Sequence, residues 1–118
     1  MWVRQLGTTE DDIGMDLVLD SSDNIYVTGA SNGPIGGNIN NGLDDILLIK
    51  FDASGNALWS ELLGSPATDR GSAIIIDNNH NILITGSTTS NFDGNLGYGK
   101  SDAVIIKYNE MGEKLGFN

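Results

Sequence analysis

The sequence repeats itself. Shifted by 57 positions, it aligns on itself without a gap. Trp2 falls on Trp59, Leu6-Gly7 on Leu63-Gly64, Asp12 on Asp69 and Gly14 on Gly71. Thr28-Gly29 falls on Thr85-Gly86, Asp45 on Asp102, Ile49-Lys50 on Ile106-Lys107 and Gly55 on Gly112. The chain is therefore two tandem copies of one unit. A fixed period of this size belongs to solenoids, propellers and arrays, in which a unit buries its apolar face against its neighbour.

Each copy contains four strand-like segments. They are 15–20, 25–29, 45–51 and 57–63 in the first copy, and 72–77, 82–86, 102–108 and a weak 114–117 in the second. All are short and rich in β-branched residues, and clusters of Gly, Asn, Asp and Ser separate them. Asp20 to Asn24, Asp52 to Asn56 and Asp77 to Asn81 fit tight hairpin turns. Asp opens each by accepting backbone N–H bonds, and Gly or Asn near its end tolerates positive φ. The expected fold class is all-β.

One feature separates a sandwich from a propeller. Ile46-Leu47-Leu48-Ile49 and Ile82-Leu83-Ile84 are apolar at successive positions. Neighbouring side chains on a strand point to opposite faces, so both faces of these strands call for burial. Propeller blades stacked face to face supply that, whereas a two-sheet sandwich leaves one face wet. The expected organisation is an orphan outer strand at 1–7 that completes a blade, a first blade at 14–63 and a second at 71–117 whose last strand is eroded. Two blades cannot close a ring. The expected partners are therefore further blades of a longer array or copies of the chain itself, as a homo-oligomer.

Composition narrows the function. The net charge is −10, from 16 acidic and only 6 basic residues. This argues against nucleic acid and anionic membrane surfaces, which recruit Lys and Arg. No apolar run is long enough for a membrane insertion. There is no Cys and only one His, which excludes thiolate chemistry and Cys/His or His₃ zinc sites. The N-terminal residues carry no signal-peptide pattern.

The pattern Trp-x₃-Leu-Gly, Asp-x₃-Asn-Ile-x₂-Thr-Gly, Asp-x₃-Ile-Lys and Gly-x₂-Leu-Trp resembles the bacterial SBBP β-propeller repeats. Asp20 to Gly29 and Lys50 to Trp59 carry it most clearly. The resemblance implies a non-enzymatic repeat scaffold on an exported or cell-surface protein. It brings no catalytic or binding residues with it. The chain departs from the pattern at Gly116, where Trp59 would recur.

The candidate site is a rim formed by the segments 8–14, 30–44, 65–71 and 87–101. It gathers Asp12, Asp45, Asp69 and Asp102 with the loop residues Asn38, Asn95 and Tyr98. Carboxylates and amides of this kind suit sugar hydroxyls or a hard cation such as Ca²⁺. The alternative function is thus a lectin-like or Ca²⁺-dependent module with a glycan or protein ligand. No cofactor is otherwise expected. Rim carboxylates would also serve a propeller hydrolase or lyase, but nothing singles out one pair. The competing structural role for the same aspartates is capping turns and joining blades. His80, in a turn where the other copy has Asp23, is expected to be a solvated turn residue.

Overall fold

The computed structural model describes residues 1–5, 11–33, 44–64, 68–89 and 101–115. Among them there is no helix. Seven strands form two antiparallel sheets. The first has the order β1 (Asp12–Leu19), β2 (Ile25–Ser31), β3 (Asp45–Phe51), β4 (Ala57–Leu63). The second is β5 (Asp69–Ile76), β6 (Ile82–Thr88), β7 (Asp102–Tyr108). Strands β5, β6 and β7 each begin 57 residues after their counterparts β1, β2 and β3.

The hairpin turns follow one plan. Asp20 Oδ1 accepts from the N–H groups of Ser22 at 2.8 Å and Asn24 at 3.0 Å. Asp52 and Asp77 receive the equivalent pairs. Asn109 does the same with its amide oxygen, accepting from Met111 and Glu113. The fourth residue of each turn has positive φ: Asp23 at 64°, Gly55 at 86°, His80 at 63° and Gly112 at 86°. Asp and His tolerate this region better than most side chains.

Gly is required at two of these four turns for a second reason. The Trp2 indole lies over Gly55, where a β-carbon would come within 2.8 Å of the ring. The Trp59 indole lies over Gly112, where a β-carbon would come within 3.0 Å. Trp2 also donates from Nε1 to the Ala53 carbonyl at 3.1 Å, and Arg4 from Nε to that of Gly55 at 2.8 Å. Residues 1–5 carry no strand pairing, yet they are docked.

The two sheets pack face to face. Tyr26, Ile46 and Leu48 of the first meet Ile74, Ile84 and Ile106 of the second in one buried cluster. Each such side chain contributes roughly 1.5–3 kcal/mol on burial. Thr28, fully buried in the same interface, donates to the Leu47 carbonyl at 2.9 Å. Gly71 sits directly on its hydroxyl, and a β-carbon there would collide with Thr28 Oγ1. Asp16 reaches across to accept from the Ile74 N–H at 3.0 Å. The expected burial of both faces holds for β3, where Ile46, Leu47, Leu48 and Ile49 are all at most 4% exposed.

Two expectations need correction. Residues 12–14 and 69–71 are strand, not loop, as are 30–31 and 87–88. A bulge between Gly14 and Asp16, repeated between Gly71 and Ala73, shifts the alternation and hides the first part of β1 and β5 from a period-two pattern. The weak segment at 114–117 reduces, among the described residues, to a Tyr108–Lys114 bridge and a Leu115 N–H bond to the Lys107 carbonyl at 2.8 Å.

Candidate functional site

Strand register builds the rim. Asp12, Ser31 and Asp45 are adjacent across β1, β2 and β3 at one end of the first sheet. Asp69, Thr88 and Asp102 hold the same places in the second. The four aspartates singled out from the sequence therefore do come to one end of the sheets. Asn38, Asn95 and Tyr98 lie outside the described residues.

The geometry at this end is that of a joint. Asp45 and Asp69, from different sheets, are both fully buried. They converge on Gly64, where a β-carbon would collide with Asp45 Oδ1 and lie 2.8 Å from Asp69 Oδ2. The Asp69 N–H donates to the Asp44 carbonyl at 2.7 Å. Asp44 Oδ2 accepts from Arg70 Nε at 3.0 Å and Nη2 at 2.8 Å. The Ser31 hydroxyl bonds Asp12 Oδ1 and accepts from the Gly33 N–H at 3.3 Å. None of the four rim aspartates is without a partner. Buried carboxylates need such partners, because an uncompensated buried charge is costly. Among the described residues, no three or more His, Cys, Asp or Glu side chains gather to hold a metal ion. A cavity of ≈ 180 Å³ does open beside the joint, lined by Asp11, Asp12, Ile13, Ala30, Asp44 and Arg70.

A larger cleft lies at the opposite, hairpin end. It measures ≈ 460 Å³, and Asp20, Asn24, Lys50, His80, Glu110 and Met111 are among its lining residues. Sequence reasoning missed it. Its walls come from three turns that only stacking brings together, although the regular spacing of those turns was a usable signal. Lys50 ties the two sheets here, donating from Nζ to the Glu110 carbonyl at 3.2 Å and lying 5.1 Å from the Tyr26 ring centroid. Burial pushes the Asp20 carboxyl up, but hydrogen bonds from Asn24, Ser22 and Tyr26 outweigh it and leave the group below its ordinary value. Asp52 and Asp77 are also held low, chiefly by the Asn56 and Asn81 N–H groups. Burial raises Glu61 and Tyr26.

The fold now has two stacked antiparallel sheets that place equivalent residues alike. The model of the SBBP β-propeller repeat matches residues 2–36 and again residues 58–93, together more than half of the chain. The chain belongs to the SBBP family of β-propeller repeats. It is also similar to an uncharacterized WD repeat-containing protein, L264, of Acanthamoeba polyphaga mimivirus. The identity is 28% over 130 residues, which covers 92% of this chain and 9% of that protein. The SBBP chain thus spans less than a tenth of that relative's length.

Proposed function

We propose that the chain is two successive propeller blades of 57 residues each and that its role is a non-enzymatic scaffold. Residues 1–7 then supply the outer strand of a preceding blade. One observation carries this reading: Trp2 occupies on Gly55 the place that Trp59 occupies on Gly112. A segment that docks on the next unit as Trp59 of β4 docks on the second sheet supports the reading of residues 1–7 as the outer strand of a blade. The rim aspartates then serve as ties between blades rather than as ligands. The family resemblance supports the reading of an exported or cell-surface location.

A second reading is a rim module for a glycan or a hard cation, favoured by the cavity beside Arg70. The two are separated by a glycan array run with Ca²⁺ and with EDTA, alongside thermal melts in both. The scaffold reading expects no glycan signal and no Ca²⁺-dependent change in melting. A signal abolished by EDTA would replace it with the rim module. A hydrolase would require activity that Asp45→Asn and Asp102→Asn abolish without unfolding the chain.

A further inference from the structure

The interface between the sheets uses one face of each. The opposite face of the second sheet is open, and that of the first is open over β1, while Leu47 and Ile49 of β3 are already covered there. The open face of the first sheet carries Gly14, Leu17, Leu19 and Val27, with Leu17 at 55% exposure. These are the equivalents, 57 residues earlier, of Gly71, Ile74, Ile76 and Ile84, which line the closed interface. The open face of the second sheet carries Ala73, Ile75, Leu83, Thr85 and Ile105, with Ile75 at 59% and Ile105 at 66% exposure. These are the equivalents of Asp16, Val18, Tyr26, Thr28 and Leu48, on the other side of that interface. An apolar depression of ≈ 240 Å³ marks this second open face. Each free face therefore repeats one half of a contact that the chain already makes internally.

We infer that these faces are partners for each other, so that a second copy of this chain docks head to tail, its first sheet on the second sheet of its neighbour. The inference rests on the two-blade reading above. The internal interface fixes the register. Gly14 of the incoming copy takes the place of Gly71, over the Thr85 hydroxyl instead of that of Thr28. Gly14 has room for this, since a β-carbon there meets only Val27 Cγ1 at 3.7 Å. Thr85 is exposed and already holds the matching bond, donating to the Val104 carbonyl at 3.1 Å. Contacts of this kind are heterologous and close into a ring when the rotation permits. Propellers of roughly 4–8 blades would need roughly two to four copies.

The test uses the 118-residue chain, with its mass in solution measured by light scattering or native mass spectrometry. A discrete oligomer is expected. Leu17→Lys and Ile75→Lys each place a charge on one exposed face, where the isolated chain tolerates it and a dry interface does not. Each variant alone should be monomeric. Mixed, they should form a 1:1 pair, because each retains the face that the other lacks. A monomeric parent chain would overturn the inference and assign the open faces to further repeats of the same polypeptide. Either variant pairing with itself would overturn it too, since it would show like faces meeting. The two-blade reading has its own readout: Gly71→Ala must destabilise the chain far more than Gly14→Ala under dilute conditions. Either result can therefore fail alone.

Discussion

Gly71 and Gly14 are equivalent in sequence but not in surroundings, and that contrast can be measured. A methyl group at Gly71 collides with Thr28 Oγ1 and comes within 3.2 Å of the Gly29 carbonyl oxygen and of Ile46 Cγ2. Overpacking of this kind costs roughly 1–3 kcal/mol. The displaced Thr28 hydroxyl, fully buried, also weakens its bond to the Leu47 carbonyl, at about 1 kcal/mol. Gly→Ala returns roughly 0.4–1 kcal/mol through the unfolded chain. Gly71→Ala should therefore destabilise the chain by about 2 kcal/mol. Gly14→Ala, whose β-carbon would make only an ordinary contact with Val27 Cγ1 at 3.7 Å, should stabilise it by about 0.5 kcal/mol, since mainly the unfolded-state effect remains. Urea unfolding followed by circular dichroism at low protein concentration reads both. Equal effects at the two sites would refute the face-to-face packing from which the argument starts.

The hairpin turns give a second contrast: Gly112→Ala should cost about 2 kcal/mol, from positive φ and the Trp59 indole, and the same urea titration checks it. His80→Gly, at a similar φ but with no indole above it, should change stability by no more than about 0.5 kcal/mol. Acid gives a third test. Asp20, Asp52 and Asp77 have folded-state values below their unfolded ones. Their contribution is present above the unfolded value, near pH 4, and is lost as pH falls through the folded value. Glu61, which is raised, has the opposite sign, and acid also relieves repulsion within a chain of net charge −10. The readout is therefore the difference from an Asp20→Asn, Asp52→Asn, Asp77→Asn variant. The parent's advantage should shrink between pH 5 and pH 2, and an unchanged gap would contradict the turn geometry.

The repeat, the strand type and the burial of both faces of β3 were legible because each is a local pattern. Ile46-Leu47-Leu48-Ile49 has no polar position at which one face could be wet. The Asp20, Asp52 and Asp77 turns were legible for the same reason. The first residues of β1 and β5 were not, because a bulge at Met15 and at Ser72 breaks the alternation on which strand assignment depends. The rim was half legible. Sequence brought Asp12, Asp45, Asp69 and Asp102 to one end, but it could not show that Asp45 and Asp69 meet at Gly64 across two sheets. That convergence depends on how far apart the stacked sheets lie, and Gly64 sets it by having no side chain. The hairpin-end cleft was legible only in the regular spacing of its turns, since Lys50 comes from β3 and His80 and Glu110 from two turns that only stacking brings together.

The small differences between the copies say which interface dominates. Asp16 bonds the Ile74 N–H across the internal interface, but its equivalent is Ala73, which cannot do so for an incoming Leu17. The internal contact thus keeps a charge-assisted hydrogen bond that a contact between copies lacks. That bond is worth roughly 1.5–3 kcal/mol. The two sheets of one chain should therefore stay together under conditions that separate copies. Dilution or mild urea should dissociate the assembly before the buried cluster around Ile74 and Leu48 opens. Ala73→Asp, which restores the missing acceptor on the exposed face, should tighten association while leaving the stability of the dilute chain nearly unchanged.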